Sequence, residues 1–442
     1  MTKIITRFAP SPTGKLHIGN IRTALITYLY AKKHKGEYIL RMDDTDILRS
    51  SSEFEEQIKT DLKWLGIKWD NYFNQSSRID RYEAIKEKLI SEGRLYACYE
   101  TPEELDVKRK FQLSSGRPPI YDRAALKLTQ AQIENYESNG RKAYYRFLIK
   151  EEDIIWNDLI KGEIKYHGSN LSDPVVIRAD ESMTYMLCSA IDDIDYNITH
   201  VIRGEDHVSN TAIQIQMFEA FGATIPTFAH LSLIKSKEDK ISKRIGGYDI
   251  SSLRDESNIE SMAINSFLTF IGTSEPISVC KNLDELIKLF DINTYSKSPT
   301  TYNKNELEEI NQKLVMTLDY HDIKNYLDQH DLSKINEQFW LTVRPNLKKL
   351  CELKEWWQIC HAPEKVSDLD LEILDAAAKN LPENIDKSTW FNWTKIISQI
   401  TGKKGKELFM TLRLALTGKS SGPELSNLLP LLSREEILDR LK

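Results

Sequence analysis

The chain has 442 residues, long enough for about two to four domains with buried cores, and its 60 basic and 66 acidic side chains leave a net charge of −6. Hydrophobic content of 40% and charged content of 29% are ordinary for a soluble globular protein. No run approaches the ~18 apolar residues of a membrane span, and the start MTKIITRFAP lacks an apolar signal-peptide core. Five scattered cysteines (Cys98, Cys188, Cys280, Cys351, Cys360) form no CxxC pair, which argues against a disulfide framework or a zinc ribbon and for a reducing cytoplasm. The negative balance does not exclude a nucleic-acid partner, because local basic patches make that footprint. Lys32-Lys33-His34-Lys35 and Lys403-Lys404-Gly405-Lys406 are such clusters, although each alone also fits a solvated surface.

In chain order, Ile4 to Phe8 reads as a strand running into the loop Ala9-Pro10-Ser11-Pro12-Thr13-Gly14. The loop opens a helix in which Ile18, Ile21, Leu25, Tyr28 and Leu29 recur at helical spacing. Such a junction aims bare backbone N–H groups and the positive end of a helix dipole at one spot, which suits phosphate. His17 stands at the helix start, and Gly19 permits close approach of a ligand. Alone this pairing is more often plain structure, so its weight rests on the remainder of the chain.

Glu37 to Met42 reads as a second buried strand ending on Asp43-Asp44-Thr45-Asp46. Carboxylates just past a strand's C-terminal end lie where ligands bind in open α/β sheets. Helices are predicted over Glu53 to Leu65 and Ile79 to Gly93. From about Leu95 to Met183 short mixed segments replace the alternation, with turn signals at Arg117-Pro118-Pro119, Asn139-Gly140 and Ser172-Asp173-Pro174, as in an inserted domain. Alternation returns with a strand at Thr199 to Ile202, then Arg203-Gly204-Glu205-Asp206-His207. A helix from Asn210 to Phe221, stopped by Gly222, and a strand from Ala229 to Ile234 follow. Lys240-Ile241-Ser242-Lys243-Arg244-Ile245-Gly246-Gly247 is a cationic, glycine-flanked loop suited to a polyphosphate.

Beyond about residue 250 the pattern is helical with no strand, and helices are predicted at Asn305 to Leu318, Trp390 to Ile400, Lys404 to Leu416 and Arg434 to Leu441. Thr294 to Thr301, rich in Ser, Thr and Pro, is the nearest thing to a hinge. Five of the eight tryptophans (Trp340, Trp356, Trp357, Trp390, Trp393) lie in this part. Core packing is favoured for most of them over the stacking of unpaired bases.

APSPTGKLHIG, RMDDTD, VIRGEDH and KISKR, in this order, resemble the class I aminoacyl-tRNA synthetases, in particular their bacterial glutamyl branch. His17-Ile18-Gly19-Asn20 stands for the HIGH signature and Lys240-Ile241-Ser242-Lys243-Arg244 for the KMSKS signature. Thr411-Leu412-Arg413-Leu414-Ala415-Leu416-Thr417-Gly418 is similar to part of the helical anticodon-binding region, so the resemblance covers nearly the whole chain. It implies an α/β fold: a Rossmann-type (HUP) catalytic domain split by an α+β insertion, followed by an all-α C-terminal anticodon-binding region. The implied boundaries are 1–94 and 185–248 for the catalytic halves, 95–184 for the acceptor-end-binding insertion, 249–315 for a stem-contact helical region and 316–442 for the anticodon-binding domain.

The implied reaction activates L-glutamate with ATP and Mg²⁺ to glutamyl-adenylate and transfers it to the 3′-terminal adenosine of tRNA-Glu, with tRNA-Gln left open as an acceptor. By the same resemblance His17, Lys240 and Lys243 are catalytic, and Pro10, His17, Gly19, Asn20, Lys240, Ser242 and Lys243 bind ATP. Arg7, Ser11, Asp43, Tyr185 and Arg203 bind glutamate, with the two arginines on its side-chain carboxylate and Asp43 on its α-amino group. Arginine offers five donors and no acceptor, so glutamine would turn an NH₂ group toward donors.

Four departures stand out. Asp43 replaces a commoner Glu, Asn20 replaces the last His of the signature, and Ser189 falls where relatives carry an amide, so no role is carried over to it. Lastly, Cys98 is followed by Glu100, and Tyr121 to Leu126 holds neither Cys nor His, so no metal ligands and no structural zinc are expected. A monomer away from membranes is expected. A glutaminyl-tRNA synthetase, toward which Asp43-Asp44-Thr45-Asp46 leans, and a nucleotidyltransferase acting on a small molecule are the alternatives.

Overall fold

The computed structural model describes residues 3–46, 49–236, 249–361 and 366–442. Two compact units emerge: residues 1–257, 265–278 and 282–303 form the first, and residues 258–264, 279–281 and 304–442 the second. No helix among the described residues is long and apolar enough to cross a membrane.

The first unit begins with parallel strands β1 (Ile5–Phe8), β2 (Glu37–Met42) and β3 (Asn71–Asn74), joined by helices α1 (Ile18–Lys33) and α2 (Ser52–Trp64). Helix α3 (Ile79–Ser91) leads into an inserted segment. There β4 (Leu95–Cys98), β5 (Tyr144–Phe147) and β8 (Val175–Ile177) form an antiparallel sheet, while β6 (Asp153–Asp158) and β7 (Gly162–His167) make a separate hairpin. Helices α4 (Pro102–Ser114) and α5 (Gln130–Ser138) lie between β4 and β5. After α6 (Tyr185–Asp195) the chain rejoins the first sheet as β9 (His200–Gly204), α7 (Val208–Ala220) and β10 (Thr227–Leu231).

The resulting order, β10-β9-β1-β2-β3, puts β2 on one side of β1 and β9 on the other. Ligands sit at such a switch point, outside the carboxyl ends of the strands. Both central strands are buried almost throughout, as parallel strands covered by helices must be. Helix α1 closes one face through Ile21, Ala24, Leu25, Ile26 and Leu29, all fully buried. Each larger side chain among them contributes roughly 1.5–3 kcal/mol by burial.

Three expectations need correction. The strand predicted over Ala229 to Ile234 is two strands, because the chain leaves the sheet at Ser232 and Leu233. The Ser232 carbonyl accepts from Arg22 Nη1 at 2.9 Å, and the Leu233 N–H donates to Glu205 Oε1 at 2.9 Å. Strand β11 (Ile234–Ser236) then pairs in parallel with β12 (Thr300–Tyr302), so the region beyond residue 250 does contain a strand. The Ser/Thr/Pro stretch from Thr294 to Thr301 runs into that strand and is no simple linker. Strand β3 carries no signal in the sequence, since its half-buried NYFN shows no alternation.

Helix α8 (Ser261–Phe270) spans the boundary between the units and α9 (Leu283–Leu289) belongs to the first. The described part of the second unit is helical, with α10 (Lys304–Thr317), α15 (Thr389–Thr401), α16 (Gly405–Thr417) and α18 (Arg434–Arg440) within a residue of expectation. Between α10 and α15 lie α11 (Lys324–Gln329), α12 (Glu337–Val343), α13 (Glu352–His361) and α14 (Leu371–Lys379), and α17 (Leu425–Leu428) precedes α18. Trp340 and Trp393 are at most 1% exposed and give their indole N–H groups to the carbonyls of Leu318 and Ala377, so they are core residues.

Candidate active site

A cleft of about 620 Å³ opens at the C-terminal ends of the central strands. The loop after β1 supplies Pro10, Ser11, Thr13 and His17, the first turn of α1 supplies Gly19 and Asn20, and Arg7 comes from β1 itself. Arg41 and Asp43 stand at the end of β2, Tyr185 and Ser189 on the first turns of α6, and Arg203, Gly204, Asp206 and His207 at the end of β9. Every expected site residue among the described residues therefore lines one cavity. Lys240, Ser242 and Lys243 lie outside the described residues.

His17 is the N-cap of α1 and forms a capping box with Asn20. The His17 Nδ1 accepts from the Gly19 N–H at 3.2 Å, and Asn20 Oδ1 accepts from the His17 N–H at 3.4 Å. A ring nitrogen that accepts carries no proton, so the imidazole proton sits on Nε2, which is then a donor. Gly19 makes this possible: a Cβ there would stand 3.1 Å from His17 Cε1. The loop is stitched to the next strand by the Asp43 N–H on the Pro10 carbonyl at 3.0 Å.

Beneath the cleft lies a buried ionic lattice that sequence reasoning missed. Arg7 donates to both oxygens of Asp193, at 3.1 and 3.3 Å. Arg41 donates to Asp43 at 2.7 Å, to Asp193 at 2.9 Å and to Ser189 Oγ at 3.0 Å. Asp192 accepts from Gln75, Arg78 and Tyr82. Burial opposes the charge on Arg41, but Asp43, Asp193 and Asp192 more than offset it and hold its pKa above the usual arginine value. Asp43 shows the reverse balance: burial outweighs Arg41 and raises its carboxyl to about 6. Ser189 thus braces Arg41, and Arg41 braces the carboxylate at the cleft. RMDDTD contained Arg41 and its partner Asp43, but its other partners, Asp193 and Ser189, are about 150 residues away.

Arg203 differs from its neighbours. It is 9% exposed, and no carboxylate pairs with it among the described residues. Its guanidinium donates to Thr211 Oγ1 at 2.5 Å and, weakly, to His230 Nε2 at 3.5 Å. Burial, reinforced by repulsion from Arg7 and only partly offset by the more distant Asp193 and Asp206, pushes its pKa down to about 9. A buried cation held by uncharged hydrogen-bond partners at the wall of a cavity is chemically suited to an anion. At the mouth, Tyr185 is 39% exposed and hydrogen-bonded to Asn210, whose amide also meets His207 Nδ1 at 3.2 Å.

Known proteins share this architecture. The family described as tRNA synthetases class I (E and Q), catalytic domain, matches residues 3–309, and an anticodon binding domain family matches residues 323–442. Glutamate–tRNA ligase 1 of Rickettsia bellii is 60% identical over the full length of both chains. Its Rickettsia felis namesake is also 60% identical, covering all of this chain and 99% of that one. A glutamate tRNA ligase from Elizabethkingia meningosepticum, solved in complex with its amino acid, superposes with a TM-score of 0.84 at 26% identity, covering 100% of this chain and 98% of that chain. Matched along both its strand-rich and its helical parts, the chain belongs to the class I tRNA synthetases of the E and Q group.

Proposed function

We propose that the chain activates L-glutamate with ATP and transfers the glutamyl group to the terminal adenosine of tRNA-Glu. The observation that carries the choice of glutamate is Arg203, a buried guanidinium without a carboxylate partner among the described residues, on the wall of the cleft that also holds Asp43 and His17. A glutamate side chain supplies the missing negative charge, whereas glutamine would leave it uncompensated at a cost of about 1–3 kcal/mol or more. The relatives' names support the same reading.

Arg203, flanked by Arg7, receives the side-chain carboxylate, and Asp43 takes the α-ammonium, with Ser11 and Tyr185 lining the site. The α-carboxylate then attacks the α-phosphorus of ATP and pyrophosphate leaves. His17 Nε2–H donates to the phosphate as its charge grows, beside the ATP-binding stretch Pro10, Gly19 and Asn20. By resemblance, Lys240, Ser242 and Lys243 hold the outer phosphates. A ribose hydroxyl of the terminal adenosine next attacks the activated carbonyl and AMP leaves. Neither step needs a covalent enzyme intermediate; both run on positioning and charge stabilisation.

Mg²⁺ enters as part of the nucleotide substrate, since that ion keeps most of its ligands from phosphate and water. The five-part division implied by the sequence, with residues 95–184 on the acceptor end and 316–442 on the anticodon, belongs to this proposal, as do a monomeric state and a cytoplasmic location. The test is ATP–pyrophosphate exchange with tRNA present: glutamate should support it, and exchange with glutamine but not glutamate would sink the assignment. Lys243→Ala should lower turnover at least about tenfold while tRNA affinity stays nearly intact, because its contacts tighten as charge develops. A folded variant with full turnover would remove Lys243 from the mechanism.

A further inference from the structure

Behind Arg203 a line of polar groups runs from the active-site wall into the inserted hairpin. Asp158, the last residue of β6, is fully buried at its side chain, and Oδ2 lies 2.5 Å from His230 Nδ1. Its other oxygen accepts the N–H groups of Ile160 at 3.0 Å, Lys161 at 2.9 Å and His230 at 3.2 Å. His230, in β10, is itself 0% exposed, and its Nε2 lies 2.8 Å from Thr211 Oγ1 on α7. Thr211 Oγ1 in turn accepts from Arg203 Nη2 at 2.5 Å.

The proton positions follow from the chemistry of the ends. A carboxylate only accepts, so His230 carries its proton on Nδ1. Burial, helped by the nearby Arg203 cation, outweighs the Asp158 hydrogen bond and lowers the pKa of His230, so the ring is uncharged near neutral pH and Nε2 is an acceptor. The Thr211 hydroxyl lies 2.8 Å from Nε2 and 3.3 Å from the His207 carbonyl oxygen; its proton goes to the nearer acceptor, Nε2, which leaves an oxygen lone pair for Arg203. Asp158 also lies below the usual carboxylate range, because the His230 and backbone N–H bonds outweigh its burial.

We propose that Asp158, His230 and Thr211 form a positioning chain that fixes the guanidinium of Arg203 for the substrate's side-chain carboxylate, so that the β6–β7 hairpin helps set the amino-acid site. The inference rests on the glutamate reading of Arg203. Arg203 has no carboxylate hydrogen-bonded to it among the described residues, so a directional neutral acceptor is what can fix it without cancelling its charge. An aspartate at position 211 would pair with Arg203 and occupy the charge that the substrate needs.

The test reads steady-state charging of a tRNA-Glu transcript, with kcat and the KM values for glutamate and ATP measured separately. Thr211→Val keeps the side chain's shape and removes the acceptor. It should raise the KM for glutamate about tenfold, the worth of a hydrogen bond to a charged group, while kcat and the KM for ATP move by less than about threefold. Thr211→Ser should restore the glutamate KM. Asp158→Asn should shift it in the same direction and add nothing in a Thr211→Val background. A Thr211→Val enzyme with an unchanged glutamate KM, or equal losses for glutamate and ATP, overturns the chain. Additive Asp158 and Thr211 effects would remove Asp158 from it. Arg203→Ala separates the two ideas: an unchanged glutamate KM there sinks the glutamate reading itself, whereas a large Arg203 effect beside a silent Thr211→Val sinks only the positioning chain.

Discussion

Asn20 looked in the sequence like a departure from a signature, yet its side-chain oxygen completes the cap of α1 by taking the His17 N–H. The same cap places the imidazole proton on Nε2, so the substitution is compatible with the role of His17. Gly19 lies under that ring, and Gly19→Ala should lower kcat with little loss of folding stability, read by charging kinetics beside a thermal melt; a full-rate variant would show that the ring position is unimportant. Asp43 makes a pH prediction. Burial raises its carboxyl from 3.8 to about 6, so below pH 6 it is protonated and cannot hold an ammonium. The kcat/KM for glutamate should fall about tenfold per pH unit below that point, and Asp43→Asn should flatten the profile. The stability sign is opposite: the folded chain binds a proton that the unfolded chain has lost between pH 3.8 and 6, so Asp43's contribution falls as pH rises through that window. The cleft's front row was legible because it is local, strung along Arg7 to Asn20 and Arg203 to His207. Arg41, Asp193, Thr211, His230 and Asp158 were not, because each matters through a partner brought close only by the sheet.

The helices singled out in the sequence and strand β2 followed from periodicity, whereas α4 and the β6–β7 hairpin lie in a stretch that reads only as short mixed segments, and other failures are short pieces whose partners are distant. Strand β12 is three residues long, and β11, which it joins, lies more than sixty residues earlier. The inserted segment gives a sharper case. Cys98, Glu100 and Tyr121 are joined by hydrogen bonds: the Tyr121 hydroxyl reaches Glu100 Oε1 at 2.7 Å and Cys98 Sγ at 3.7 Å, while Lys108 pairs with Glu100 at 3.3 Å. Burial pushes the Cys98 thiol up to about 11, which disfavours the thiolate that zinc requires. Elemental analysis of the purified chain should find no stoichiometric zinc; one zinc per chain would contradict this. In the helical unit Gly422 has φ +144°, and a Cβ there would lie 2.0 Å from Trp356 Cη2. Gly422→Ala should destabilise the protein by about 1–3 kcal/mol through overpacking and backbone strain, visible as a lower unfolding temperature.

Taken whole, the molecule carries a net charge of −6 yet belongs to a family that handles tRNA, so overall charge is a poor guide to its partner. One of the two compact units is built on the parallel sheet, and the other is helical among the described residues. The electrostatic logic is concentrated at one point. Asp43, Asp192 and Asp193 each find an arginine, and Arg203 finds none among the described residues. That vacancy for an anion is why the cleft should select glutamate, and it is most directly tested by charging purified tRNA-Glu and tRNA-Gln transcripts with glutamate and with glutamine side by side. Glutamate should be attached to tRNA-Glu with a kcat/KM at least about a hundredfold above that for glutamine, the difference expected when a buried charge is left unpaired. Equal or preferred use of glutamine on either transcript would contradict the reading of Arg203 and the function built on it.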